Sequence, residues 1–257
     1  MDHIVSAFER LGYKWAYRVV DTRAFGLPQR RQRVLFLASK SLDPRRVLMS
    51  DEAGEPPVRP SRPTRHACGF YWTEGSRGLG WAEDAVPTLK GGSTIGIASP
   101  PAIWMPDGRI VRPDIRDAER MQGFEPNWTE PASSACRASH RWKLVGNAVT
   151  VDVAHWVGLR LRSPGQATFN GLKLDAGTPW PDSAWNVGSG RYFGSLSHWP
   201  FRTDGVALAR FLKYPPEPLS VKATSGFLSR FKKSTLRKPP GFVEALEAHV
   251  DRLSRVE

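Results

Sequence analysis

Cysteine is nearly absent: two residues, Cys68 and Cys136, occur among 257, which excludes a disulfide scaffold and a four-thiolate zinc centre. Six histidines (His3, His66, His140, His155, His198 and His249) show no ligand spacing, so no metal is expected. No apolar run approaches the ~20 residues that cross a bilayer. The first residues, MDHIVSAFERLG, read as an amphipathic turn of helix and not as a signal peptide. No internal repeat is visible. These absences lead to the expectation of a soluble, cytoplasmic chain with no membrane partner. What is present suits a folded protein: 40% hydrophobic residues and 24% charged.

The net charge of +12 is unevenly spread. Residues 1–50 carry ten basic and four acidic side chains, residues 51–130 nine and twelve, and residues 191–257 twelve and six. Basic ends around an acidic middle favour polyanions through counterion release, although a solvated basic surface accounts for the charge equally well.

Ile4, Phe8 and Leu11 recur at helical spacing before Gly12. Trp15 to Asp21 is aromatic and β-branched, as a strand requires, and Arg33 to Ala38 is an apolar run that predicts a buried strand. A basic loop around Gly26 and Pro28 joins them. Pro56, Pro57, Pro60 and Pro63 then give a stiff linker into a glycine-rich stretch with Phe70, Tyr71, Trp72 and Trp81, a small loop-rich module. Residues 113–122 predict a helix opened by Pro and Asp and closed at Gly123. A further helix is expected from about Val149 to Arg162, with Val149, Val153, Trp156, Val157 and Leu161 on one face and Gly146 and Asn147 at its start. A last amphipathic helix runs through Phe242, Leu246, Val250 and Leu253.

Three segments carry a likeness. Gly26-Leu27-Pro28-Gln29-Arg30-Arg31-Gln32-Arg33-Val34, then Ile115 to Phe124 (IRDAERMQGF), then Arg141 to Val149 (RWKLVGNAV) follow one another around the irregular middle. In order and spacing they resemble the eighth, ninth and tenth motifs of DNA (cytosine-C5) methyltransferases. Each is weak alone and specific only in combination. The resemblance covers residues 1–162 and implies an α/β chain: part of a class I methyltransferase-type, Rossmann-like sheet, an irregular target recognition domain, and a C-terminal extension. The implied division is residues 1–40 for the end of the catalytic domain, 41–130 for recognition with the ninth-motif helix, 131–163 for the return to the catalytic domain, and 164–257 for an extension of unknown role.

The resemblance also implies roles. The family flips a cytosine out of double-stranded DNA, adds a Cys thiolate at C6 and transfers methyl from S-adenosylmethionine to C5. Negative charge then gathers toward N3 and O2 of the ring, where one preorganised donor contributes on the order of ~3 kcal/mol. By the motif match Arg33 holds the cytosine O2, Arg31 supports the target-strand backbone and Gln29 orders the loop; the alternative is that Arg30, Arg31 and Arg33 simply clamp phosphates. Asn147, Ala148 and Val149 lie by the cofactor, and Thr88, Leu89, Lys90, Gly91, Gly92 and Ser93 contact DNA. Glu119, Arg120 and Gln122 are structural.

The family's cofactor loop, Pro-Cys nucleophile and Glu-Asn-Val element are not found in these residues, and neither cysteine follows a proline. The expectation is therefore a late-motif half, either a split subunit completed by a second chain or a fragment, inactive alone, with apolar faces that favour association. A bacterial, nucleoid-associated modification enzyme, with or without a restriction partner, is implied. A non-catalytic DNA-binding derivative, or a basic RNA-binding protein with fortuitous motifs, stays open. Trp180, Trp185 and Trp199 alternate with Pro and Gly, and Lys222, Arg230, Lys232, Lys233, Arg237 and Lys238 cluster before the last helix, a combination that suits either nucleic-acid contact or a structural appendage.

Overall fold

A computed structural model describes residues 1–57, 60–91, 100–168 and 170–255. In chain order the elements begin with α1 (Asp2–Arg10), β1 (Lys14–Asp21), β2 (Gln29–Arg30), β3 (Gln32–Ser39) and α2 (Arg45–Leu48). Short strands follow: β4 (Cys68–Phe70), β5 (Ala82–Glu83), β6 (Val86–Pro87), β7 (Ala102–Trp104) and β8 (Ile110–Arg112). Then come α3 (Ile115–Met121), α4 (Ser139–Asn147), α5 (Val151–Arg162), β9 (Leu172–Lys173), β10 (Ser183–Asn186) and β11 (Arg191–Phe193). The chain closes with α6 (Leu208–Phe211), β12 (Glu217–Pro218), α7 (Val221–Lys233) and α8 (Phe242–Ser254). No helix among the described residues is long and apolar enough to cross a membrane.

The chain divides into two units. The first comprises residues 1–26, 32–57 and 152–204, the second residues 27–31, 58–151 and 205–257. The expected single extension over 164–257 is thus shared between both. Its first part supplies three strands to one unit, and its last part supplies helices to the other.

The first unit holds an antiparallel sheet in the order β3-β1-β10-β11-β9. Alternation along β1 sends Trp15 and Tyr17 to one face, with Val5, Leu174 and Ala184, and Ala16 to the other, with Val47, Leu48, Met49 and Trp185. Both faces are covered, so β1 is buried almost throughout. Arg18, fully buried, is paid for by Glu52 (2.5 Å) and the carbonyls of Ser197 and Asp51. The expected stripe on α1 is rotated: Val5 and Phe8 face the sheet, whereas Ile4 and Leu11 are exposed. Strand β3 differs more. It pairs residue for residue with β1, Val20 opposite Arg33, but it ends the sheet, and Gln32, Arg33 and Val34 are exposed where a buried strand was expected.

In the second unit a five-stranded antiparallel sheet runs β12-β8-β7-β4-β5, and β2 pairs with β6, the single parallel pairing among the described strands. One core cluster gathers Leu89, Ile103, Val111, Ala118, Met121 and Val145. A second joins Phe70, Trp104 and Ile110 to Phe227 and Phe231 of α7 and Phe242 and Leu246 of α8. Asp114 caps α3 through Arg116 N, and Gly123 leaves it at φ 82°, as expected. Gly146 and Asn147, however, are the last residues of α4, not the start of the next helix, which begins at Val151. Val149 and Leu161 are exposed, whereas Val153 and Trp156 are buried.

His249, not Val250, is the buried residue of the last turns of α8. Its Nε2 donates to Leu219 O (2.8 Å) and its Nδ1 accepts from Ile110 N (3.4 Å). A second proton would set a donor against a donor. Burial, aided by the Arg252 charge, pushes its pKa below the usual histidine value. The unfolded chain therefore binds the proton more tightly, so this stability is present above about pH 6.5 and is lost as pH falls below it. Between pH 7.5 and 5.5 the melting temperature of His249→Gln is expected to fall less than that of the parent; equal falls would show that His249 is not the titrating group.

Candidate functional site

The eighth-, ninth- and tenth-motif segments meet in the second unit around two buried side chains. Gly26, at φ 80°, and Pro28 turn the chain into β2, whose parallel pairing puts Gln29 opposite Val86 and Arg30 opposite Pro87. Gln29 is fully buried. Its Nε2 donates to Met121 O (2.9 Å) and Gln122 Oε1 (3.2 Å), and its Oε1 accepts from Leu89 N (3.0 Å). Gln122 continues the chain of bonds by donating to Val145 O (2.8 Å) and accepting from Thr150 Oγ1 (2.8 Å). Every amide here has partners, so the network fixes one geometry and carries no unpaired polar group.

Arg31 works beside it. Its Nη1 donates to Gly146 O (3.1 Å) and its Nη2 to Ala148 O (2.8 Å), a cation at the negative end of α4. Gly146 is needed for contact: a Cβ there would lie 2.4 Å from Gly91 N and 2.5 Å from Lys90 C, both backbone atoms that cannot swing away. The Thr88–Gly91 stretch is thus seated on the end of α4.

The expected site residues are placed unequally. Gln29 orders its loop as expected. Arg31, expected on a DNA strand, is buried and turned to protein carbonyls. Arg33 is exposed on β3, its Nη1 donating to the adjacent Gln32 O (2.8 Å). Thr88 donates to Arg30 O (3.0 Å), and Leu89, expected at DNA, is a core residue. Lys90 pairs with Glu74 and sits 3.7 Å from the centre of the Tyr71 ring. Gly92 and Ser93 lie outside the described residues. Asn147 and Val149 are exposed and Ala148 is half-buried.

The Cys68 thiol is poorly suited to attack. Burial, with Glu83 and Asp84 nearby, pushes Cys68 up to about 12. Cys136 donates its S–H to Ala132 O (3.1 Å). No cluster of metal-ligating side chains occurs among the described residues.

The sequence does not single out Thr150, and it marks Arg141 only as the first residue of the tenth-motif segment, with no role. Arg141 donates to Glu119 Oε1 (3.0 Å), 22 positions away, and no local pattern signals such a pairing.

Residues 1–60 match the C-5 cytosine-specific DNA methylase family. The type II methyltransferase M2.BsuMI of Bacillus subtilis (strain 168) is 45% identical over 261 residues, taking in 98% of this chain and 67% of that protein. No solved structure matches. Since the relative is similar from end to end of this chain, and the stitched segments are those by which the likeness was first drawn, the chain belongs to the C-5 cytosine-specific DNA methylases.

Proposed function

We propose that the chain is the late-motif part of a DNA cytosine-C5 methyltransferase, providing target recognition and the base-holding arginine for methyl transfer from S-adenosylmethionine to C5 of cytosine. The observation that carries this reading is Arg33. Its guanidinium stands exposed on an end strand, no carboxylate bonds to it among the described residues, and it lies two residues after Arg31, which with Gln29 forms the buried anchor. A planar, permanently charged donor suits the charge that develops at O2 and N3 when a thiolate adds at C6. Thiol groups that are buried or already bonded, as Cys68 and Cys136 are, fit structural roles. The nucleophile in this reading comes from residues other than these, in the same polypeptide or a second chain.

The free outer edge of β3 suits pairing with such a segment, so that the antiparallel sheet of the first unit becomes the margin of a Rossmann-like sheet. Asn147, Ala148 and Val149 would line one side of the cofactor, the remainder of its enclosure being built elsewhere. Double-stranded DNA in the bacterial cytoplasm is the substrate, in a modification system of the type II kind.

Co-expression with a polypeptide carrying the Pro-Cys and cofactor-loop motifs tests this. Methylation of duplex DNA is expected, with Arg33→Ala lowering the rate about a hundredfold or more and leaving duplex affinity nearly unchanged. Retained duplex binding without methylation under any such pairing would instead identify a binding module.

A further inference from the structure

A cavity of about 270 Å³ opens in the second unit, lined by Pro100, Arg112, Ile115, Ala138, Ser139, Arg141 and Trp142. We propose that it seats one backbone phosphate of the DNA duplex, gripped by Arg112 and Arg141; the proposal rests on the DNA reading above.

Two guanidinium groups share the lining, and neither has all its donors engaged. Arg112 pairs through Nη2 with Glu217, but its Nε is buried with no acceptor among the described residues. Arg141 gives Nε to Thr129 Oγ1 (2.9 Å) and Nη2 to Glu119 Oε1 (3.0 Å), and its Nη1 has no acceptor among the described residues. The Nη1 of Arg112, like that of Arg141, bonds no acceptor among the described residues, and a non-bridging phosphate oxygen is the acceptor that a guanidinium fork fits best.

The surroundings favour an anion. Residues 137–143 hold Arg137, His140, Arg141 and Lys143 with no acid. Helix α4 starts at the cavity with no side-chain cap and no acid in its first turn, and the Ser139 hydroxyl adds a donor. The nearby carboxylates are committed: Glu217 to Arg112, Glu119 to Arg141, Asp114 to Arg116. The site is shallow and half apolar, with Ile115 and Trp142, which suits a diester on a strand passing over it better than a fully hydrated free ion. Such a contact positions the duplex and reads no base.

Duplex binding by the full chain, followed as a function of salt, tests this. Arg112→Gln is expected to flatten the slope of log K against log salt by about 0.9, the signature of one lost phosphate contact, with the same factor of weakening on every sequence. Ser139→Glu, which sets a carboxylate at the mouth on an exposed residue, is expected to weaken binding further while the melting temperature holds. An unchanged slope in both variants, or a loss confined to one target sequence, would overturn the assignment. Titration with inorganic phosphate that depends on Arg112, without any change in duplex slope, would show a free-anion site and overturn it also. Failure of the parent chain to bind duplex at all would remove the DNA reading itself.

Discussion

Glu119→Ala is expected to destabilise the chain by about 3–5 kcal/mol, because it strips a buried cation of its counter-charge. The Glu119 carboxylate is fully buried and accepts from Asn127 N (2.6 Å), Thr129 N (2.9 Å), Thr129 Oγ1 and Arg141 Nη2 (3.0 Å). It holds Asn127 in the left-handed region, at φ 69°, a conformation that few residues other than glycine adopt without support. Alanine would leave those donors unpaired along with the guanidinium. Glu119→Gln keeps one acceptor oxygen and is expected to fall between the parent and the alanine variant. Denaturant melts decide: a loss under 1 kcal/mol for Glu119→Ala would mean water replaces the carboxylate.

Phe242→Ala is expected to cost a similar 3–5 kcal/mol, the usual range for deleting a buried ring. Phe242 is fully buried, with its ring centroid 4.9 Å from Phe70, 5.0 Å from Trp81, 5.6 Å from Trp104 and 5.7 Å from Phe231. Three of those partners lie in or beside the five-stranded sheet of the second unit and one in α7. If α7 and α8 were an appendage, removing this ring would leave that sheet undisturbed. Thermal melts of Phe242→Ala, with tryptophan fluorescence reporting on Trp81 and Trp104, separate the two outcomes.

Much of the local structure was legible because its causes are local. Asp114 before Ile115 and Gly123 after Gln122 mark α3 from both ends, and the aromatic and β-branched run from Trp15 to Asp21 marks β1. Burial of β3 was not legible, since RVLFLA reads the same whether or not a neighbour covers its second edge. Gly146 and Asn147 resemble helix-opening residues, yet the residues before them, from Ser139 on, already form a helix, and Ala148 at ψ 152° breaks it. Arg31 and Arg33 are indistinguishable as letters. Their fates diverge because the chain passes from one unit to the other between residues 31 and 32. Residues 164–257 misled most, for their strands are two to four residues long and pair with partners far upstream, as Ser183 does with Arg18.

The interleaving of the units has a consequence for biosynthesis. Each is assembled from three separated stretches, and the last of them, residues 205–257, carries Phe227, Phe231 and Phe242. A nascent chain that has reached residue 204 can close the first sheet but must keep Phe70 and Trp104 uncovered until the 53 residues from 205 to 257 emerge from the ribosome. That interval, about 3–10 s at ordinary elongation rates, is when this protein is most open to chaperones, proteases and wrong partners.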